Sequence, residues 1–236
     1  MRASSILTLG IIAASILVSV YSYPQLPDRM VSHWNGNFEP DGTMGKAMGL
    51  TIFPAIIIFL GALFLIFPKI DPLKSNIEGF RGDYEYFVVL ILIFLLFLQA
   101  LVILWNMGYQ MSMAVFMPLW LSVIFFSAGT LCKRARRNWF VGIRTPWAMS
   151  SDAVWVKTNR RGGLIFQIAG LAILVGLIVP DLLFIILIAF MILIGVYVTT
   201  YSYFEYQKEL KSAGPRPKPK DAGPKPKRKK PARPAR

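Results

Sequence analysis

The chain has 236 residues, of which 55% are hydrophobic and 16% are charged. Soluble domains carry about a quarter charged residues, so this composition excludes an ordinary soluble protein. The single cysteine, Cys132, excludes an intrachain disulfide and a Cys-rich metal site, and the single histidine, His33, removes most metallohydrolase chemistry. A net charge of +14 spread over a folded surface would suggest nucleic acid as a partner. It is not spread, because residues 205–236 hold twelve Lys and Arg against three acids, or +9 of the total.

Uncharged runs predict the membrane-spanning helices. Such runs cover residues 3–27, 47–68, 86–132, 162–180 and 182–204. A bilayer core about 30 Å thick needs about 20 apolar residues of helix, so each run holds one span except the third, which is long enough for two. The predicted spans are 5–23, 50–67, 86–105, 114–132, 164–180 and 183–204. The predicted fold is therefore an all-α, polytopic transmembrane bundle of six helices.

The distribution of positive charge predicts which side each loop faces. Residues 24–49 hold two Lys and Arg and the loops 106–113 and 180–182 hold none, whereas the other 24 lie on the opposite side of the predicted membrane. Because cytoplasmic loops carry the excess of Lys and Arg, both termini are predicted to lie in the cytoplasm and residues 24–49 outside the cell membrane. The first segment also fits a cleaved signal peptide, and this alternative leaves residues 24–49 outside.

The chain is predicted to have three parts. Residues 1–68 hold two spans and the outward loop 24–49, and residues 69–204 hold four spans and the cytoplasmic loop 133–163. Residues 205–236 are rich in Pro, Lys and Arg and have too little apolar surface to fold, so they are predicted to form a disordered cytoplasmic tail. Membrane lipids with anionic headgroups are the expected partners of this tail, with RNA as the alternative.

Several polar and aromatic residues of the outward loop are candidate binding residues. They are His33, Trp34, Asn35, Asp41 and Lys46. Three carboxylates lie near His33 in the sequence: Asp28, Glu39 and Asp41. Together these four side chains could form a metal site. However, one histidine among carboxylates that lack helical spacing is a weak metal-binding pattern, and it favours a histidine that packs at the membrane interface. No metal is expected. Prolines and glycines predict a compact, turn-rich loop.

The outward loop resembles a short domain of unknown function that is found near the start of many prokaryotic membrane proteins. The pattern follows a first helix and is carried here by Leu26-Pro27, His33-Trp34-Asn35, Asp41-Gly42 and Gly45-Lys46. The resemblance implies no particular chemistry.

The cytoplasmic loop contains a predicted short helix. Ser150 is a suitable N-cap, Asp152 complements the positive end of the helix, and Gly162-Gly163 can end it. At about 100° per residue, one helix face is shared by Ser151, Val154, Trp155 and Thr158, and Lys157 and Arg160 point largely away. This pattern predicts a helix lying in the membrane interface, either as a lipid anchor or as part of a binding site.

Residues 138–163 resemble the signature of the SdpI family, integral membrane proteins named for the immunity protein against a secreted killing peptide of Bacillus. The signature is N-x-x-x-G-I-R-T-P-W followed by S-S-x-x-V-W-x-K-T-x-R-x-G-G. The matching residues taken as binding candidates are Asn138, Gly142, Arg144, Thr145, Pro146, Trp147, Ser150, Trp155, Lys157, Thr158 and Arg160. The chain departs from the family at Asn159, where histidine is common.

The resemblance implies protection against a membrane-active peptide toxin outside the cell, or signalling of its presence. In the namesake it also implies a soluble repressor held at the membrane, and it implies no cofactor. Four residues are hypothesised to form a site at the inner membrane surface for a partner or for lipid headgroups: Arg144, Trp147, Trp155 and Lys157. This site is expected to be needed for protection.

A passive transporter or flippase for small molecules or lipids is the alternative function. Ion-coupled carriers place ionisable residues inside their spans, and the predicted spans contain none beyond their ends. This argues against coupled transport but not against passive transport. An enzyme is not expected, because no H-E-x-x-H or G-x-S-x-G pattern and no pair of intramembrane Asp residues occurs.

Overall fold

Six long helices dominate the structure. The computed structural model describes residues 2–212, and the predicted tail from residue 213 onward lies outside this range. The long helices are α1 (Ala3–Ser22), α2 (Lys46–Ile70), α4 (Arg81–Asn106), α5 (Met113–Arg134), α7 (Asp152–Ile173) and α8 (Leu182–Ser212). All six are long and apolar enough to cross a membrane, which confirms the predicted polytopic helical bundle.

Two short α-helices, two strands and two short 3₁₀ helices (Tyr23–Gln25 and Leu174–Leu177) complete the described elements. The strands and short α-helices are β1 (Arg29–Trp34), β2 (Pro40–Gly45), α3 (Lys74–Glu78) and α6 (Pro146–Ser150). The segment between α5 and α7, residues 135–151, is called the motif loop below. The segment between α1 and α2, residues 23–45, is called the hairpin loop.

Helix α7 joins two elements that the sequence predicts as separate, a short interfacial helix and the fifth span. Gly162 and Gly163, predicted to end a helix, lie within it, and both are buried. A Cβ atom on Gly163 would come within 2.5 Å of the carbonyl oxygen of Gly129 in α5. The prediction was wrong because these glycines permit close packing of α7 against α5, a use that local sequence does not separate from helix termination.

The hairpin loop contains a two-stranded antiparallel sheet, where the sequence predicts only turns. The pairing of β1 with β2 is irregular around His33. The sheet is fastened to the end of α4, because the Asn106 side chain accepts a hydrogen bond from the Val31 N–H at 2.7 Å and donates one to the Val31 carbonyl oxygen at 2.9 Å. The bundle therefore carries a small, fixed β-hairpin at one end.

Polar side chains link three helices inside the bundle. Gln99 of α4 is buried, accepts a hydrogen bond from the Ser15 hydroxyl at 2.5 Å and donates one to the Ser19 hydroxyl at 2.8 Å. Ser19 in turn donates to the carbonyl oxygen of Leu50 in α2 at 2.7 Å. Such hydrogen bonds hold transmembrane helices together, so the polar atoms of Gln99 serve packing.

Candidate functional site

Asn138 organises the first turn of the motif loop. Its side chain is fully buried, and its oxygen accepts hydrogen bonds from the N–H groups of Phe140 and Val141 at 2.9 and 2.6 Å. Its amide group donates to the carbonyl oxygens of Arg136 and Val141 at 2.8 and 2.9 Å. Buried backbone groups need partners, and Asn138 supplies them where no regular element does. Its role is to hold the backbone.

The loop between α2 and α4 also holds the motif loop. Asp71 is buried, and its carboxylate accepts hydrogen bonds from the N–H groups of Trp139 and Leu73 at 2.8 and 2.6 Å. The Asn76 amide donates to the carbonyl oxygen of Arg137 at 2.8 Å. Asp71 and Asn76 are not among the residues that the sequence predicts, because local patterns do not reveal hydrogen bonds across 68 and 61 positions.

Gly142 and Asn159 join the motif loop to α7. Gly142 has a φ of +98°, in the left-handed region that favours glycine, and a Cβ atom there would lie 2.7 Å from the Asn159 side-chain oxygen. That oxygen accepts a hydrogen bond from the Ile143 N–H at 2.8 Å. Asn159 is buried, so the residue that departs from the family pattern has a structural role here.

Trp155 lies in the protein core. Its side chain is 1% exposed, and its indole N–H donates to the Ala135 carbonyl oxygen at 2.7 Å. Val154 and Thr158, predicted to share its face, are also buried. The shared face is therefore confirmed, but the predicted contact with the membrane surface was wrong, because protein covers this face of α7.

Thr145 and Pro146 begin α6. The Thr145 hydroxyl oxygen accepts a hydrogen bond from the Ala148 N–H at 3.1 Å, and the hydroxyl donates to the Ser202 hydroxyl of α8 at 2.8 Å. Pro146 takes the first helical position, where its fixed φ is favourable and no N–H is required. Thr145 thereby connects the motif loop to α8.

Ser150, predicted as the N-cap of a helix, ends α6 instead. Its hydroxyl donates to the Trp147 carbonyl oxygen at 2.8 Å. The N-cap of α7 is Ser151, whose hydroxyl oxygen accepts a hydrogen bond from the Val154 N–H at 3.4 Å. The prediction was one residue early because adjacent serines have the same capping chemistry.

Lys157 lies on the exposed side of α7 and pairs with α8. Its ammonium group is 2.7 Å from the carboxylate of Glu205, and that of Lys208 is 2.8 Å from the same carboxylate. Glu205 is buried. These ion pairs fix the end of α8 against α7, which explains why residues 205–212 are helical although the sequence assigns them to the disordered tail.

The structure divides the hypothesised four-residue site. Trp155 is in the core, and Lys157 is engaged by Glu205. Trp147 packs edge-on against Tyr203 of α8, with ring centroids 5.2 Å apart. Of the four, Arg144 is exposed and has no acidic partner within the described residues.

Arg144 lines an open cavity of about 410 Å³ together with Trp139, Gly142 and Met149. Its guanidinium donates one hydrogen bond to the Trp139 carbonyl oxygen. A guanidinium has five N–H donors in a rigid planar arrangement. Arg144 is therefore oriented by the loop and still has donors for an anionic or carbonyl-bearing partner.

Two candidate residues of the hairpin loop pair with each other, and a third holds its tip. His33 Nδ1 lies 2.5 Å from the Asp41 carboxylate. Asn35 holds the hairpin tip, because its side-chain oxygen accepts hydrogen bonds from the N–H groups of Asn37 and Glu39 at 2.9 and 3.0 Å. Among residues 2–212, no group of three or more His, Cys, Asp or Glu side chains is arranged to hold a metal ion.

Lys46 lies at the base of the hairpin. Its ammonium group is 3.3 Å from the Asp28 carboxylate and 5.0 Å from the centre of the Tyr23 ring. The Lys46 side chain is 16% exposed, so most of its surface is covered by the protein. Lys46 joins the start of α2 to the end of α1.

An apolar cavity of about 390 Å³ lies beside the hairpin. Its lining includes Trp34, Phe38, Phe53, Leu98, Val102 and Met117. Trp34 packs edge-on against Trp105 of α4, with ring centroids 5.5 Å apart. The Trp34 indole N–H is buried without a hydrogen-bond partner in the described part of the chain. The hairpin side therefore offers apolar walls and one unused donor.

Comparison with known proteins links both regions to recognised families. Residues 134–202 match the SdpI/YfhL protein family, and residues 10–58 match a domain of unknown function (DUF1648). The immunity protein SdpI of Bacillus subtilis (strain 168) is 24% identical over 206 residues, which are 87% of this chain and 97% of that protein. The chain is an SdpI-like membrane protein. No solved structure matches it.

The two matched ranges coincide with the two candidate regions. The SdpI-like range starts at the last residue of α5 and covers the motif loop, α7 and most of α8. The other range covers most of α1, the hairpin loop and the first half of α2. Both predicted resemblances are therefore confirmed.

Proposed function

We propose that the chain protects the cell membrane in which it lies from a membrane-active peptide toxin. The observation that carries this proposal is its similarity to an immunity protein along nearly the whole length of both chains. The match to the SdpI/YfhL protein family includes the motif loop, and the match to the domain of unknown function includes the hairpin loop. The proposed role is binding rather than catalysis.

The exposed surface of the motif loop around Arg144 is proposed to carry the protective contact. Asn138, Gly142 and Trp155 are occupied in holding the loop to the bundle. Arg144 is the motif residue that this framework presents to a partner, beside an open cavity. Its partner is a protein or a lipid headgroup with oxygen acceptors, including a soluble repressor if the chain also signals.

The orientation proposed from the sequence places this surface in the cytoplasm, with both termini on the same side. The hairpin loop then faces the outside, where a secreted peptide arrives. Contact with the peptide on that side and a response at Arg144 on the other would require the bundle to connect them. The hydrogen bonds of Asn106 and Gln99 join the hairpin and α1 to α4 at the hairpin end of such a connection.

Protection is tested by producing the chain in bacteria that are sensitive to membrane-permeabilising peptides, including the secreted killing peptide of Bacillus. Producing cells are expected to survive peptide concentrations that kill cells lacking the chain.

Arg144→Lys is expected to reduce survival by about tenfold, because loss of a charge-assisted, bidentate contact is worth about 1.5–3 kcal/mol. Lys211→Ala, which removes another exposed cation at the end of α8, is the matched control and is expected to retain survival. Unchanged survival of producing cells against the whole panel would contradict the proposal.

A further inference from the structure

An open cavity of about 520 Å³ between α5, α7 and α8 is lined mainly by cations. The lining residues are Lys133, Lys157, Arg160, Arg161, Leu164 and Tyr201. Lys157 is compensated by Glu205. In contrast, Lys133, Arg160 and Arg161 have no acidic partner in the described range. The cavity therefore concentrates positive charge that the described residues do not neutralise.

Close helix packing forces these cations together. A Cβ atom on Gly129 of α5 would lie 2.4 Å from the carbonyl oxygen of Gly163 in α7, so the two backbones are in contact there. The side chain of Lys133, one turn further along α5, consequently lies against α7. Arg161 of α7 lies against α8, because its guanidinium is 5.9 Å from the centre of the Tyr201 ring. Repulsion between neighbouring cations is relieved when an anion binds among them.

An exposed apolar surface continues from the cations along the lengths of α7 and α8. Leu164, Ile168 and Leu171 follow Arg160 along one face of α7 at spacings of three or four residues, and they are 45%, 50% and 60% exposed. On α8, Leu193, Val196 and Tyr197 line a second cavity, of about 630 Å³, which shares Tyr201 with the first. The cations are thus followed by exposed apolar side chains along two helices that are each long and apolar enough to cross a membrane.

We propose that this cavity binds the phosphodiester headgroup of an anionic phospholipid, with the acyl chains lying along the apolar faces of α7 and α8. The guanidinium groups of Arg160 and Arg161 can each donate paired hydrogen bonds to phosphate oxygens, and Lys133 adds a point charge. Basic pockets between transmembrane helices are suited to such headgroups. The lipid belongs to the leaflet on the side of the motif loop. The site is separate from Arg144 and does not depend on the protective function.

Lipid binding is tested on the delipidated full chain in neutral detergent, by native mass spectrometry with added phosphatidylglycerol or phosphatidylcholine. The chain is expected to retain phosphatidylglycerol as a discrete one-to-one complex. Arg160→Gln/Arg161→Gln is expected to weaken that complex about thirtyfold, because each basic side chain near an anionic surface contributes about a factor of five. Arg216→Gln/Arg233→Gln, which removes two cations from residues 213–236, is the charge-matched control and is expected to change the affinity less than twofold.

The same samples distinguish the alternatives. Inorganic phosphate at millimolar concentration is expected to leave the lipid complex intact, and displacement of the lipid by phosphate would show that a free anion is the ligand. Equal losses in both double variants would show that total charge rather than this cavity attracts the lipid, and would overturn the proposal.

Thermal unfolding in phosphatidylcholine nanodiscs checks that the Arg160→Gln/Arg161→Gln variant is folded, which is expected because both arginines are exposed. In phosphatidylglycerol nanodiscs the wild-type chain should gain more thermal stability than this variant.

Discussion

The motif loop and the hairpin loop carry recognisable sequence patterns, but they use their residues in different ways. Asn138 of the motif loop and Trp155 of the adjoining helix α7 are buried and hydrogen-bonded to the backbone, so much of this pattern builds the structure of the loop itself. In the hairpin loop, His33 and Asp41 are exposed and pair with each other, while Trp34 keeps an unused donor at an apolar cavity. A dense sequence pattern therefore indicates a constrained structure as readily as a binding surface.

The two loops are proposed to face opposite sides of the membrane, and this difference is expected to give the largest effect. In a Cys132→Ala background, a membrane-impermeant maleimide added to intact cells is expected to label Asn37→Cys in the hairpin loop and to leave Ala153→Cys at the start of α7 unlabelled. Both positions are exposed in the protein, so disruption of the cells should make Ala153→Cys reactive. Labelling of Ala153→Cys in intact cells would contradict the proposed orientation.

The structural role of the motif is tested by Trp155→Ala. This change empties a fully buried site and leaves the Ala135 carbonyl oxygen without its donor, so a loss of about 3–5 kcal/mol in stability is expected. Trp147→Ala, at a half-buried tryptophan that packs on Tyr203, should cost much less. Thermal unfolding of the two purified variants in detergent gives the comparison, and equal small losses would show that Trp155 is not part of the core.

The tight turn of the motif loop is tested by comparing two glycines with the same backbone conformation. Gly142 and Gly108 both have a φ of +98°, but a Cβ atom meets Asn159 at Gly142 and open space at Gly108. Gly108→Ala is expected to cost about 1–2 kcal/mol from backbone conformation alone. Gly142→Ala should cost about 1–3 kcal/mol more, because it displaces a buried hydrogen-bonding group. Equal midpoints of thermal unfolding would mean that the contact with Asn159 contributes nothing.

The attachment of the hairpin loop is tested by Asn106→Ala, which removes both side-chain hydrogen bonds to Val31. Hydrogen exchange of the β1 amides is expected to accelerate by about thirtyfold, with little effect on global stability, since each of the two hydrogen bonds contributes about 1 kcal/mol. Asn37→Ala, at an exposed position of the hairpin tip, serves as the control. If exchange in β1 stays unchanged in Asn106→Ala, other contacts hold the hairpin to α4.

The sequence predicts the six helices well because apolar length and the exclusion of charge from hydrocarbon are properties of single segments. It does not predict what covers a helix face, so it places Trp155 at the membrane surface, although the rest of the protein buries this residue of α7. Gly162 and Gly163 illustrate the same limit, because a glycine pair fits a helix end and a close helix contact equally well. Partners distant in the chain, such as Asp71 and Trp139, are visible only in the folded protein.

Protection is proposed to depend on the surface presented by the motif loop, and a comparison of one variant from each loop in producing cells tests this claim. Arg144→Lys keeps the charge and removes the bidentate geometry, whereas Trp34→Phe keeps an aromatic ring beside the apolar cavity and removes the unused N–H. At equal protein abundance in the membrane, survival under a membrane-active peptide should fall about tenfold for Arg144→Lys and remain at the wild-type level for Trp34→Phe. Full survival of Arg144→Lys with loss in Trp34→Phe would contradict the claim and place the protective contact at the hairpin loop.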